Sequence, residues 1–162
     1  MQEPEYKSRL RTFFKCHDIK YVEEVSNANG NRADFVIKRP RYWSDGADTD
    51  VVAIEVKAYR GRDEFDRGLG QAIHYLAYWP SSWYAIPNGW VSELKEVVEK
   101  AMLPLEIFGL FDLDSMKLVT FSESICPLCY TDPCKRCNIL TRNNRVVILN
   151  RFQKKTLDHF QS

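Results

Sequence analysis

The 162-residue chain predicts one α/β domain with a mixed central sheet. Three observations carry that prediction. An apolar stripe recurs at helical spacing near the N-terminus; three β-branched runs follow, separated by turn chemistry; a second helical period then leads into another short strand. Helix, three strands, helix, strand describes an antiparallel meander feeding a parallel crossover. Hydrophobic content of 44% and aromatic content of 13% suffice for a sizeable core, and no stretch is compositionally disordered.

The first helix is expected over residues 3–16. Pro4 suits its first turn, and Tyr6, Leu10, Phe13 and Phe14 form one apolar stripe. At about 100° per residue, Glu3 falls within the sector of that stripe, whereas Glu5 lies well over a quarter-turn away. Glu3 is expected to face the sheet and Glu5 the solvent. An acid here also suits the positive end of the helix dipole.

Residues Tyr21–Val25 predict the first strand, Asn27–Asn31 a turn in which Asn and Gly tolerate left-handed backbone angles, and Ala33–Ile37 a second strand opening with Asp34. Residues 39–46, with Arg39, Arg41, Tyr42 and Trp43, predict a loop whose cations and aromatics can hold phosphates and stack on bases, or form an exposed hairpin tip. The third strand covers residues 51–58 and contains Val51-Val52-Ala53-Ile54-Glu55-Val56-Lys57. Residues i and i+2 of a strand share a face, so Glu55 and Lys57 point the same way. A buried strand carries two charges on one face when they neutralise each other or do chemistry.

After Arg60, Arg62 and Arg67, a helix is expected from about Asp66 to Trp79, with Leu69, Ala72, Ile73, Leu76 and Ala77 as its core stripe and Gln71 and Tyr75 on a neighbouring face. Pro80 stops it, and Trp83–Pro87 predicts the fourth strand. Residues 91–103 predict an amphipathic helix, and 106–112 with 117–121 a hairpin turning at Asp114-Ser115. A cysteine-rich segment, a strand at Arg145–Leu149 and a charged terminal helix complete the expectation. There is no internal repeat and no linker. Residues 1–122 form the core with an added helix and hairpin, and 123–162 a cysteine-rich segment packed on it.

The apolar runs are far short of a membrane span, and the N-terminal MQEPEYKSRL lacks a signal-peptide core, which points to the cytoplasm and away from a membrane. With a formal net charge of +1, a nucleic-acid site would have to be a local patch. Of five cysteines, Cys126, Cys129, Cys134 and Cys137 form a CxxC-x4-CxxC array, which suits metal binding in a reducing compartment. Four thiolates make a closed, structural Zn²⁺ site, the favoured reading. The competing ligand is a [4Fe–4S] cluster, also held by four thiolates. Either group staples the C-terminal part.

Asp34 opening one strand, Glu55-x-Lys57 on the next and Gln71-x-x-x-Tyr75 on the following helix form an ordered set. This set resembles the PD-(D/E)XK nuclease superfamily, and Gln71-x-x-x-Tyr75 looks like the element of its RecB-like branch. The resemblance covers roughly residues 3–87. A lone D…ExK is weak; the three elements in this order are considerably more specific. Ala33 stands where the family's proline would. The resemblance implies a restriction-endonuclease-like core (α-β-β-β-α-β) and a DNA nuclease in repair, recombination or defence. In that reading Asp34 and Glu55 hold Mg²⁺ or Mn²⁺, Lys57 orients or activates the attacking water, and Glu3 is the acid of the first helix. Gln71 helps position the nucleophile, the Lys57 region or the DNA, and Tyr75 packs or hydrogen-bonds beside it. Arg41, Arg60, Arg62 and Arg67 are candidate phosphate contacts. Many small nucleases of this type cut two strands as homodimers, although no stretch here marks an interface. The alternatives are a non-catalytic nucleic-acid-binding module of the same fold and a structural protein with Glu55–Lys57 as an ion pair.

Overall fold

The computed structural model describes residues 1–40, 49–58, 61–101, 103, 107–119, 124–125 and 128. Helix α1 (Glu3–Cys16) is followed by β1 (Tyr21–Ser26), β2 (Arg32–Pro40), β3 (Thr49–Val56), α2 (Arg62–His74) with a 3-10 turn (Tyr75–Ala77), β4 (Ser81–Ile86), α3 (Asn88–Lys100), β5 (Phe108–Asp112), β6 (Lys117–Val119) and β7 (Ser124–Ile125). The strands form one mixed sheet in sequence order, β1 to β7. β1–β2 and β2–β3 are antiparallel, β3–β4 and β4–β5 parallel, and β5–β6 and β6–β7 antiparallel. The α-β-β-β-α-β order is the one the hydrophobic periods predict.

Alternation along β3 divides the core. Val52, Ile54 and Val56 join Tyr6, Leu10, Phe13 and Phe14 of α1 in one apolar layer, together with Phe35, Trp83 and Phe111. On the other face Tyr84, Ile86, Phe108 and Leu110 pack against Phe65 and Ala72 of α2 and Val91, Leu94 and Val98 of α3. A smaller cluster of Ala33, Ala53 and Tyr75 closes the β2–β3 side. β1 is the exposed edge, and its Glu23 and Glu24 blunt it against pairing with other chains.

Several boundaries shift from expectation: β3 covers Thr49–Val56 and ends one residue before Lys57, α3 starts at Asn88, and two further differences bear on the site. The second helix begins at Arg62, because Asp63 and Glu64 favour the positive end of a helix, and it tightens to 3-10 geometry before Pro80. Its fully buried positions are Phe65, Gly68 and Ala72, with Tyr75 next, whereas Leu69, Ile73 and Leu76 are only partly buried. The helix is rotated to set a glycine, not a leucine, against the sheet. β2 runs on through Arg39 and Pro40; Arg39 is buried over the Trp83 ring (4.8 Å to the centroid) and within 3.5 Å of Asp50, so it is not part of a cationic loop.

Strand β7, directly before Cys126, had no strong sequence signal. The cysteine array, the strand expected at Arg145–Leu149, the terminal helix, Arg41 and Arg60 lie outside the described residues. Among the described residues no helix is long and apolar enough to cross a membrane.

Candidate functional site

The site forms where β2 and β3 part. Their register runs from Pro40↔Thr49 to Phe35↔Ile54. Beyond it the Val56 amide donates instead to the Asp34 carboxylate (Oδ2, 2.7 Å), and the Lys57 amide turns to the Ala85 carbonyl of β4 (3.0 Å). On its other side, the β1–β2 ladder pairs Glu23 with Phe35 and Val25 with Ala33 but skips Glu24 and Asp34. Glu24 adopts φ +53°, a left-handed conformation that costs a non-glycine residue about 1–3 kcal/mol. Both ladders therefore lapse at Asp34, which frees its carboxylate from a regular sheet environment.

Four elements converge there. β3 brings Glu55, 5% exposed, and the residue just past its end, Lys57, whose Nζ is 3.7 Å from Glu55 Oε1. α1 brings Glu3 and Lys7; Lys7 Nζ lies 2.9 Å from Asp34 Oδ1 and 3.4 Å from Glu3 Oε1. Glu5 is exposed, so the facing argument placed the two helix-one acids correctly. α1 is fixed in rotation by its apolar stripe, by a Tyr6 hydroxyl donating to Asp114 (3.0 Å), and by Arg11 donating to Glu23 of β1 (2.9 and 2.6 Å). The end of α2 brings Tyr75, buried and hydrogen-bonded to Glu55 Oε2. Gln71, one turn earlier, is exposed.

The Tyr75 hydroxyl has one hydrogen and two oxygens in reach, Glu55 Oε2 and the Arg32 carbonyl at 2.7 Å. With Glu55 protonated, the acid donates to Tyr75, which donates on to Arg32; with Glu55 ionised, Tyr75 turns its hydrogen to Glu55. The electrostatics make both states relevant. Burial, then the like charge of Asp34, push the Glu55 carboxyl up to about 7, while the Tyr75 hydrogen bond and the Lys57 charge pull the other way. Burial and the Glu55 contact hold the Tyr75 phenol well above its ordinary range, so it acts as a neutral donor. Burial lowers the Lys7 affinity for a proton, but the hydrogen bond and charge of Asp34, followed by Glu3, outweigh it and keep Lys7 cationic.

Gly68 sets how closely α2 approaches. A Cβ there would stand 2.8 Å from Lys57 Cγ and closer still to the Tyr84 hydroxyl, which donates to the Phe65 carbonyl at 2.8 Å. The missing side chain thus leaves room for the Lys57 stem.

Asp34, Glu55, Lys57, Tyr75 and Glu3 come together; the candidate phosphate contacts do not join them. Arg67 is exposed on α2, and Arg62 pairs with Glu93 of α3 at 3.2 Å. Sequence reasoning missed Lys7, Glu24 and Gly68. The Glu3-x-x-x-Lys7 spacing and a glycine inside a helical period were the available signals. Among the described residues, no three His, Cys, Asp or Glu side chains group closely enough to hold a metal on their own.

No protein-family model matches the chain, and no curated protein does. Among solved structures, it is similar to a protein of unknown function from Silicibacter pomeroyi, with 21% identity and a TM-score of 0.49 over 96% of this chain and 92% of that one. At that TM-score the likeness decides neither fold family nor activity.

Proposed function

We propose that the chain is a divalent-metal-dependent nuclease with a restriction-endonuclease-like core, hydrolysing DNA phosphodiester bonds as the PD-(D/E)XK resemblance implies. One observation carries the reading: a buried Glu55, raised to about 7 by burial and by Asp34, faces that second carboxylate and the Lys57 ammonium where two strands part. A structural ion pair needs one acid for each base. Here three acids, Glu3, Asp34 and Glu55, share two ammoniums, Lys7 and Lys57, and the excess is what a cation relieves.

The donor set fits Mg²⁺ or Mn²⁺. Two hard carboxylates, Asp34 and Glu55, are the usual protein share for an ion that keeps waters and takes a substrate phosphate oxygen. Such an ion supplies charge for the phosphate and acidity for a bound water. The chain's own groups do the rest. Lys57 orients the attacking water and offsets negative charge that develops on the phosphate. Tyr75 donates to ionised Glu55 and fixes its rotamer, and the Val56 amide does the same for Asp34. Arg67 and Arg62, both exposed on α2, are phosphate contacts in this reading, with Arg41 and Arg60 as further candidates, and a Zn²⁺ ion (alternatively a [4Fe–4S] cluster) on the cysteine array would staple the C-terminal part.

The test is cleavage of labelled linear and circular DNA, single- and double-stranded, with Mg²⁺, Mn²⁺ or EDTA. The expected result is metal-dependent cutting that Lys57→Ala lowers by on the order of 10²–10³-fold, the cost of losing one preorganised charge-stabilising group. DNA retention without cutting under every condition replaces this reading with the non-catalytic binding module. Neither cutting nor retention rejects both.

A further inference from the structure

Lys7 enters the carboxylate cluster from α1, opposite the strand that leads into Lys57. Its Nζ stands 2.9 Å from Asp34 Oδ1, 3.4 Å from Glu3 Oε1 and 3.9 Å from Glu24 Oε1, and the side chain is only 19% exposed. Three acids from three elements thus surround one ammonium, and the ammonium sits where a cation bridging α1 to β2 would sit. Sites that use two metal ions hold them about 3.5–4 Å apart. In this site one flank of Asp34 is already occupied: Oδ1 faces Lys7, and Oδ2 accepts the Val56 amide. Each oxygen keeps a second lone pair, so Asp34 can still ligate one ion on the Glu55 side.

We propose that Lys7 is a built-in cation standing in for a second metal ion between Glu3 and Asp34, so that the site takes a single divalent ion on Asp34 and Glu55. The proposal rests on the metal-dependent reading above. Its charge arithmetic closes. Glu24, the third acid at Lys7, is also paired with Arg32 (3.8 Å), so four acids (Glu3, Glu24, Asp34 and ionised Glu55) face three bases (Lys7, Arg32 and Lys57), which leaves one negative charge. One divalent ion turns that into one positive charge, and a phosphodiester then neutralises it. A second divalent ion beside Lys7 would leave a strong excess of positive charge in a partly buried site. Glu3 in this account is a positioning residue: it holds the Lys7 ammonium on Asp34 rather than touching metal or substrate.

The test counts ions on the full-length protein without DNA, by Mn²⁺ titration with the free ion read by EPR. Ions that disappear in Asp34→Ala belong to this site. The wild type is expected to bind one, Lys7→Arg one, and Lys7→Met two, because removing the ammonium uncovers the Glu3–Asp34 position. Two ions in the wild type, or one ion at unchanged affinity in Lys7→Met, would overturn the proposal and leave the metal-dependent reading intact. No Asp34-dependent ion in the wild type sinks that reading, and the proposal with it. Thermal melting reports whether Lys7→Met folds. If it does not, the wild-type count decides alone, together with the Mg²⁺ dependence of cleavage, where a Hill slope near one supports the proposal and a slope near two contradicts it.

Discussion

The β2–β3 pair buries charged groups at both ends, and the two ends are built on opposite principles. At the outer end Asp50 and Arg39 are cross-strand partners, 7% and 8% exposed. Arg39 Nη2 lies 3.5 Å from Asp50 Oδ2, Ser81 Oγ donates to the same oxygen at 2.8 Å, and the guanidinium lies over Trp83. Acid and base are matched, so the charges are a packing device. At the inner end Glu55 lies beside another acid, and the carboxyl is pushed up to about 7. Each end buries an acid, Asp50 at one and Glu55 at the other; the balance of sign around it differs. Buried charge alone therefore does not single out the inner end; an excess of one sign does, and it is on that excess that the proposed reading rests.

The largest expected effect breaks the matched end. Asp50→Ala leaves Arg39 buried without its acid, a loss of about 3–5 kcal/mol. In a chain of this length that lowers Tm by roughly 10 °C or more in a thermal melt. Asp34-dependent Mn²⁺ binding should survive. Its loss would show that the two ends are not independent.

The next effect has the opposite sign. Because the Glu55 carboxyl is raised when folded, the native state binds more protons than the unfolded chain between the ordinary value of 4.5 and about 7. Stability therefore falls as pH rises through that window, and the full cost is present above it. Glu55→Gln removes the ionisable group. In EDTA at pH 8 it should stabilise the protein by up to about 3 kcal/mol and flatten Tm against pH across the window. An unchanged pH profile would mean that Glu55 is ionised at no cost and that the excess-charge account is wrong.

The smallest effect tests how α2 meets the site. Gly68→Ala drives a methyl into Lys57 Cγ and the Tyr84 hydroxyl, an overpacking cost of about 1–3 kcal/mol. If the proposed nuclease reading holds, the substitution also lowers cleavage by displacing Lys57. Gly70→Ala is the control, since no atom outside its own helix lies within 4 Å of a Cβ there, and it should stabilise by about 0.5–1 kcal/mol. Equal behaviour of the two variants in melts and assays would remove Gly68 from the account of Lys57.

Much of this was legible in advance because it is local. The first helix, the strands to β4 and the Glu55-x-Lys57 facing follow from periods of 3.6 and 2, which neighbours in sequence impose. The facing of Glu3 against Glu5 follows from the same geometry, and the structure keeps it. Illegible were the features that depend on distance across the fold. Arg39 read as a loop cation because nothing nearby in sequence reveals that Trp83 lies beneath it and Asp50 opposite. The expected stripe of α2 does meet the core, with Ala72 buried and Leu69, Ile73 and Leu76 packed on it, but hydrophobic spacing does not reveal Gly68, which the close approach to Lys57 and Tyr84 selects because it has no side chain.

The sequence by itself determined the order of elements and which acids and bases lie on which strand or helix, since dihedral preference and hydrophobic period act within a few residues. Only the tertiary structure decided that both ladders lapse at Asp34, that Glu55 is buried beside it, and that Lys7 reaches across from α1. The energies involved are desolvation and charge–charge interaction, and both depend on what surrounds a group in space rather than on what precedes it in the chain.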